Sequence, residues 1–120
     1  WARHGAPQLT RRFEKQAGRH MGSADWAAWV AVKAVVEAVV RTGNAPFDKQ
    51  VAYLGGEEIT IDGFKGNRLY FRDWDRQLRQ PLLIATHNAV IERAPIEGFL
   101  HQTNNMDTLG FDRRDSRCKP

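Results

Sequence analysis

The apolar positions of this chain form one long block and several short ones. From residue 24 to 42, beyond Asp25, almost every position is alanine, valine or tryptophan. Lys33, Glu37 and Arg41 interrupt the block at a spacing of four. That spacing predicts a helix over 24–42 with these three as its exposed stripe. Ser23 is placed to cap its start, Asp25 lies in the first turn, and Gly43 follows as a stop. A helix apolar around most of its circumference is expected to be buried on several sides. Valine is a modest helix former, so packing rather than propensity must hold the helix. Val36 is therefore expected in the core, where an aspartate would be an unpaired buried charge and cost soluble protein.

Shorter patterns flank the block. Residues 8–17 predict a helix with Leu9 and Phe13 on one face. Residues 46–54 predict a second short helix, opened by Pro46 and ended by Gly55-Gly56. Residues 58–62 alternate, with Ile59 and Ile61 on one face of a strand. Gly63 and Gly66 bracket a turn around Phe64 and Lys65. Leu69, Tyr70 and Phe71 make a short apolar run, and Asp73-Trp74-Asp75 reads as a turn. Over 80–86, the consecutive Leu82, Leu83 and Ile84 predict a strand buried on both faces. Residues 88–93 predict a further strand or a hairpin return. Beyond Pro95 periodicity is lost, and an extended tail that needs another surface is expected. The chain thus divides into a layered α/β part, 1–94, and a tail, 95–120.

Composition narrows the classes. Hydrophobic residues are 42% and charged residues 27% of 120, typical of a globular chain. Cys118 is the lone cysteine, so a disulfide framework is excluded. No apolar run has the length of a membrane-spanning helix. The chain opens at Trp1 without an initiator Met or a signal-peptide pattern, and is expected to be processed or excerpted. The net charge of +4 sits wholly in the first twenty residues, where Arg3, Arg11, Arg12, Lys15 and Arg19 face only Glu14. One basic segment reads as a solvated amphipathic helix, with binding to phosphate or an acidic surface as the alternative.

Reactive side chains are scattered. His4, His20, His87 and His101 have no helical zinc spacing. Asp73 and Asp75 could share a cation, but a turn salt-bridged to Arg72, Arg76 or Arg79 is the expected arrangement. Gly63-x-x-Gly66 lacks the Lys-Ser/Thr of a phosphate loop. Ser23 and Ser116 lie in no nucleophile elbow. Cys118 is either a spectator or half of a disulfide with a partner elsewhere. The expectation is a protein that is not an enzyme and needs no cofactor.

Four segments carry a resemblance. FRDWDRQLRQPLLIAT (71–86), EGFLHQTNNMDTLGFDRRDSRC (97–118), HGAPQLTRRF (4–13) and DWAAWVAVKAVVEAVVRT (25–42) resemble one branch of periplasmic ABC-transporter substrate-binding proteins. That branch is associated with PQQ-dependent alcohol dehydrogenase systems. The resemblance implies the C-terminal segment of a two-lobe type-I periplasmic-binding-protein fold, with ligand held between α/β lobes. It implies non-catalytic capture of a small molecule in the periplasm. An ABC permease, and the remainder of the same protein or an oligomeric partner, are the partners implied, with no nucleic acid. It also places the start of the long helix beside the ligand cleft. Free backbone N–H groups there suit a polar ligand. Ser23 and Trp26 are then the contact candidates, with Asp25 disfavouring strongly anionic ligands. The alternative is that Ser23 only caps and Trp26 is only core. Two other functions are weighed: an accessory subunit docking on a quinoprotein dehydrogenase through its tail and tryptophans, and a basic nucleic-acid-binding domain.

Overall fold

The computed structural model describes residues 6–87, 89–94, 96–97 and 113–117. Three helices come first: α1 Pro7–Ala17, α2 Ser23–Arg41 and α3 Phe47–Leu54. Short strands follow: β1 Ile61–Asp62, β2 Arg68–Phe71, β3 Leu78–Arg79, β4 Leu82–Ala85 and β5 Val90–Ala94. A 3-10 turn spans Arg113–Asp115. The rest of the expected tail, including His101 and Cys118, lies outside the described residues, as does His4.

The chain is a small mixed helix-and-sheet protein. β1, β2 and β3 form one antiparallel sheet in that order, and β4 and β5 form a separate antiparallel hairpin. In the hairpin Leu82 faces Ala94 and Leu83 faces Arg93, and a bulge between Ile84 and Ala85 shifts the register. The Thr86 N–H donates to the Ala89 carbonyl at 2.8 Å, closing the turn.

The helix limits follow the punctuation in the sequence. Gly18 ends α1 in the left-handed region (φ 66°), its N–H donating to the Glu14 carbonyl. Pro46 precedes α3 as its N-cap. At the start of α2 the sequence expectation needs correction. Gly22 is the N-cap in extended backbone, and Ser23 is the first helical residue. The capping group is the Asp25 carboxylate, which reaches back to accept from the Gly22 N–H at 2.9 Å.

The core gathers Trp26, Val30 and Ala34 of α2 against Ile59, Ile61 and Leu69. Ile59 and Ile61 share one face as expected, although only Ile61 enters the ladder. The facing of α2 differs from expectation. Its buried stripe is Trp26, Val30, Ala34 and Ala38, one residue per turn. Lys33 and Glu37 are half-buried beside that stripe rather than opposite it. Val32, Val35, Val36 and Val40 point away and are 53–68% exposed. The reason is cover. The small sheet and α3 can occupy one side of α2 only, and the small Ala34 and Ala38 allow close approach there. Lys33 can lie beside the core because its ammonium sits over the rings of Trp29 (5.2 Å) and Phe64 (5.5 Å). β4 is a second correction. Leu82 and Leu83 are half-buried and Ile84 and Ala85 exposed, because a two-stranded hairpin has no layer on both faces.

Candidate functional site

Three places bring chemically distinctive side chains together. The first is the start of α2, where the sequence placed Ser23, Asp25 and Trp26. Gly18, in left-handed backbone, lets the chain turn back between α1 and α2, and Arg19 meets Asp25 across that turn. Its Nη1 and Nη2 donate to the two carboxylate oxygens at 2.6 and 2.7 Å. Arg19 also donates to the His20 carbonyl at 3.1 Å and lies 5.0 Å from the centre of the Phe13 ring. The hydrogen bond from Arg19, then that from the Gly22 N–H, hold the Asp25 carboxyl down at about 2. The same pairing raises the Arg19 guanidinium. The positive helix end is therefore already faced by a carboxylate, itself neutralised by arginine. Ser23 is exposed at this end. Trp26 is not beside it on the surface. Its ring is 4% exposed, and its Nε1–H donates to the Gly63 carbonyl at 2.8 Å.

The second place is the turn between β1 and β2. Phe64 and Gly66 adopt left-handed backbone (φ 55° and 81°), which folds the loop tightly under α2. Phe64 stacks on Trp29 with centroids 5.6 Å apart. Lys65 turns inward and is only 7% exposed. Its Nζ sits 3.9 Å from the centre of the Trp26 ring and donates to Gln80 Oε1. Burial pushes its pKa down to about 8. A lysine whose pKa is lowered in this way supplies a nucleophilic free amine when it can reach a substrate. Here the indole and Gln80 cover it, so it clamps the loop to α2.

The third place is the turn from β2 to β3. Arg72 and Asp75 are both buried, and Arg72 Nη1 donates to Asp75 Oδ2 at 3.0 Å. The Arg72 guanidinium lies 4.9 Å from the Trp74 ring centre. Asp75 Oδ1 accepts from the Gln77 N–H at 3.0 Å, and Asp73 pairs with Arg113 at 2.8 Å. The Asp-Trp-Asp turn is thus held by arginine pairing, the arrangement the sequence led us to expect for Asp75. It leaves Arg76 in left-handed backbone (φ 61°), its N–H donating to the Arg72 carbonyl. That position at the end of a helical turn normally belongs to glycine or asparagine. The Arg76 side chain runs across Gly55, at the end of α3. A Cβ on Gly55 would lie 2.3 Å from Arg76 Nη1. Together with Val51, Ala52, Leu54 and Phe71 these residues line an open groove of about 520 Å³.

Lys65 and the Arg76 groove were not singled out from the sequence. The two glycines around Lys65 signalled only a turn. Nothing in RDWDRQ (72–77) announces which residue takes the left-handed position. No family model, curated protein or solved structure matches the chain.

Proposed function

We propose that this chain is one layer of a type-I periplasmic-binding-protein lobe, and that its function is non-catalytic capture of a small molecule for an ABC importer linked to PQQ-dependent alcohol oxidation. The observation that carries the reading is the sidedness of α2. One face already meets a sheet, while the opposite face presents Val32, Val35, Val36 and Val40 to solvent. A helix apolar on two faces belongs between two layers. In this reading the second layer comes from the remainder of the same protein, and the four resembling segments name the lobe that would supply it. The same face also favours an accessory subunit that docks on a quinoprotein dehydrogenase. Trp26 and Trp74 are buried, so docking would use the valine face rather than these two tryptophans.

The test is to tag the native gene, fractionate the cells and weigh the tagged protein. The purified native protein is then dialysed against short-chain alcohols and their aldehyde and carboxylate oxidation products. Recovery from the periplasm at well above 13.7 kDa, with saturable binding and no turnover, is the expected result. A cytosolic protein of 13.7 kDa that binds none of these compounds would sink the reading. Stoichiometric co-purification with the dehydrogenase, without ligand binding, would select the accessory role.

A further inference from the structure

The geometry points to the groove between the end of α3 and the β2–β3 turn as a binding site for a monocarboxylate with an apolar body. Its walls are Val51, Ala52, Leu54 and Phe71, and its volume of about 520 Å³ is in the usual range for small-ligand pockets. Arg76 is the one charged side chain among its described lining residues. Asp75, next along the chain, is committed to Arg72 and to the Gln77 N–H. The guanidinium thus meets the apolar walls with no described carboxylate bound to it. A guanidinium grips a carboxylate through paired N–H donors, and the apolar walls of the open groove offer an alkyl or aryl body a surface to lie against.

Two features bear on the position of this charge. Arg76 keeps left-handed backbone that an arginine adopts only against a steric penalty. The guanidinium lies against the bare backbone of Gly55, and a Cβ there would sit 2.3 Å from Nη1, so the tip of the side chain would have to move aside. The groove lies wholly within this chain and is independent of periplasmic capture.

Titration calorimetry on the 120-residue chain tests the site with octanoate, octanol and octylamine as probes. Octanoate is expected to bind saturably at one site per chain, octanol at least about tenfold more weakly, and octylammonium not at all, the loss of one charge-assisted contact setting the scale. Arg76→Gln should reduce octanoate affinity by about tenfold or more. Gly55→Ala should also weaken it while keeping every charge, because the methyl displaces the guanidinium. Val36→Asp, on the far face of α2, should leave it unchanged. Equal affinity for octanoate and octanol, or undiminished octanoate binding in a folded Arg76→Gln variant, would overturn the proposal. So would loss of binding in Val36→Asp, which would locate the probe on the valine face.

Discussion

Lys65 ties its surroundings to pH. Its folded pKa of about 8 lies below the ordinary 10.5, so between these values the unfolded chain holds a proton that the folded chain has released. Stability therefore rises with pH across that window, and the cost of burying the ammonium is fully present below it. At ~1.4 kcal/mol per unit the ceiling is ~3 kcal/mol, reduced by what the Trp26 ring face and Gln80 return to the charge. Urea titrations at pH 7 and pH 10 should show the wild type gaining ~1–3 kcal/mol relative to Lys65→Met, with the variant flat by comparison. A wild type that loses ground to Lys65→Met on going to pH 10 would reverse the sign. Asp25 acts at the other end of the scale. Its carboxyl is held at about 2, so its contribution is present above the ordinary 3.8 and is lost as pH falls toward 2. Gly63 is the tightest point of the same region. A Cβ there would lie 2.4 Å from Leu69 Cδ1 and 2.9 Å from Trp26 Cζ2, both in the core. Gly63→Ala should cost ~1–3 kcal/mol by overpacking, visible as a lower urea midpoint.

At the scale of elements, α2 decides what a substitution does. Ala34 is buried and Val36 is half exposed. Ala34→Asp should abolish cooperative unfolding, since an uncompensated buried charge costs several kcal/mol. Val36→Asp should leave the melting midpoint within a few degrees in circular dichroism, a surface change being worth about ±0.5 kcal/mol. The opposite ranking would mean that the helix packs through its valine face. The limits of the three helices were legible to within about a residue because glycine and proline punctuate them, although the cap of α2 is Gly22 rather than Ser23. Which face of α2 is buried was not legible. Its sequence offers two apolar faces, and the charged stripe looked like the solvent side. Only the position of the sheet, with Lys33 folded over Trp29 and Phe64, settles the matter. Leu82, Leu83 and Ile84 misled for a related reason: an apolar run shows that a strand could be covered twice, but not that two layers exist. At the candidate site, the Asp-Trp-Asp turn was readable from residue types. The Arg76–Gly55 approach was not, because it brings together two residues twenty-one positions apart, through the left-handed backbone of Arg76 and the reach of its side chain.

For the whole molecule, the valine face is the dominant unfinished surface. Phe47, Val51 and Ile91 add further exposed apolar side chains. Isolated chains should therefore associate in sedimentation velocity and bind a hydrophobic dye, and Val36→Asp combined with Val40→Asp should reduce both. A monodisperse wild-type monomer that binds no dye would show that this surface is tolerated in water. The order of elements along the chain has a further consequence during synthesis. α2 leaves the ribosome before Ile59, Ile61 and Leu69, so its buried stripe emerges ahead of the residues that cover it. The strands then pair only with their immediate neighbours in sequence, and such local pairing closes quickly. The alanine stripe of α2 is therefore covered as soon as β2 is made, and nothing in the described residues of this chain closes over the valine face afterwards. A holding chaperone would meet that face first and release it last.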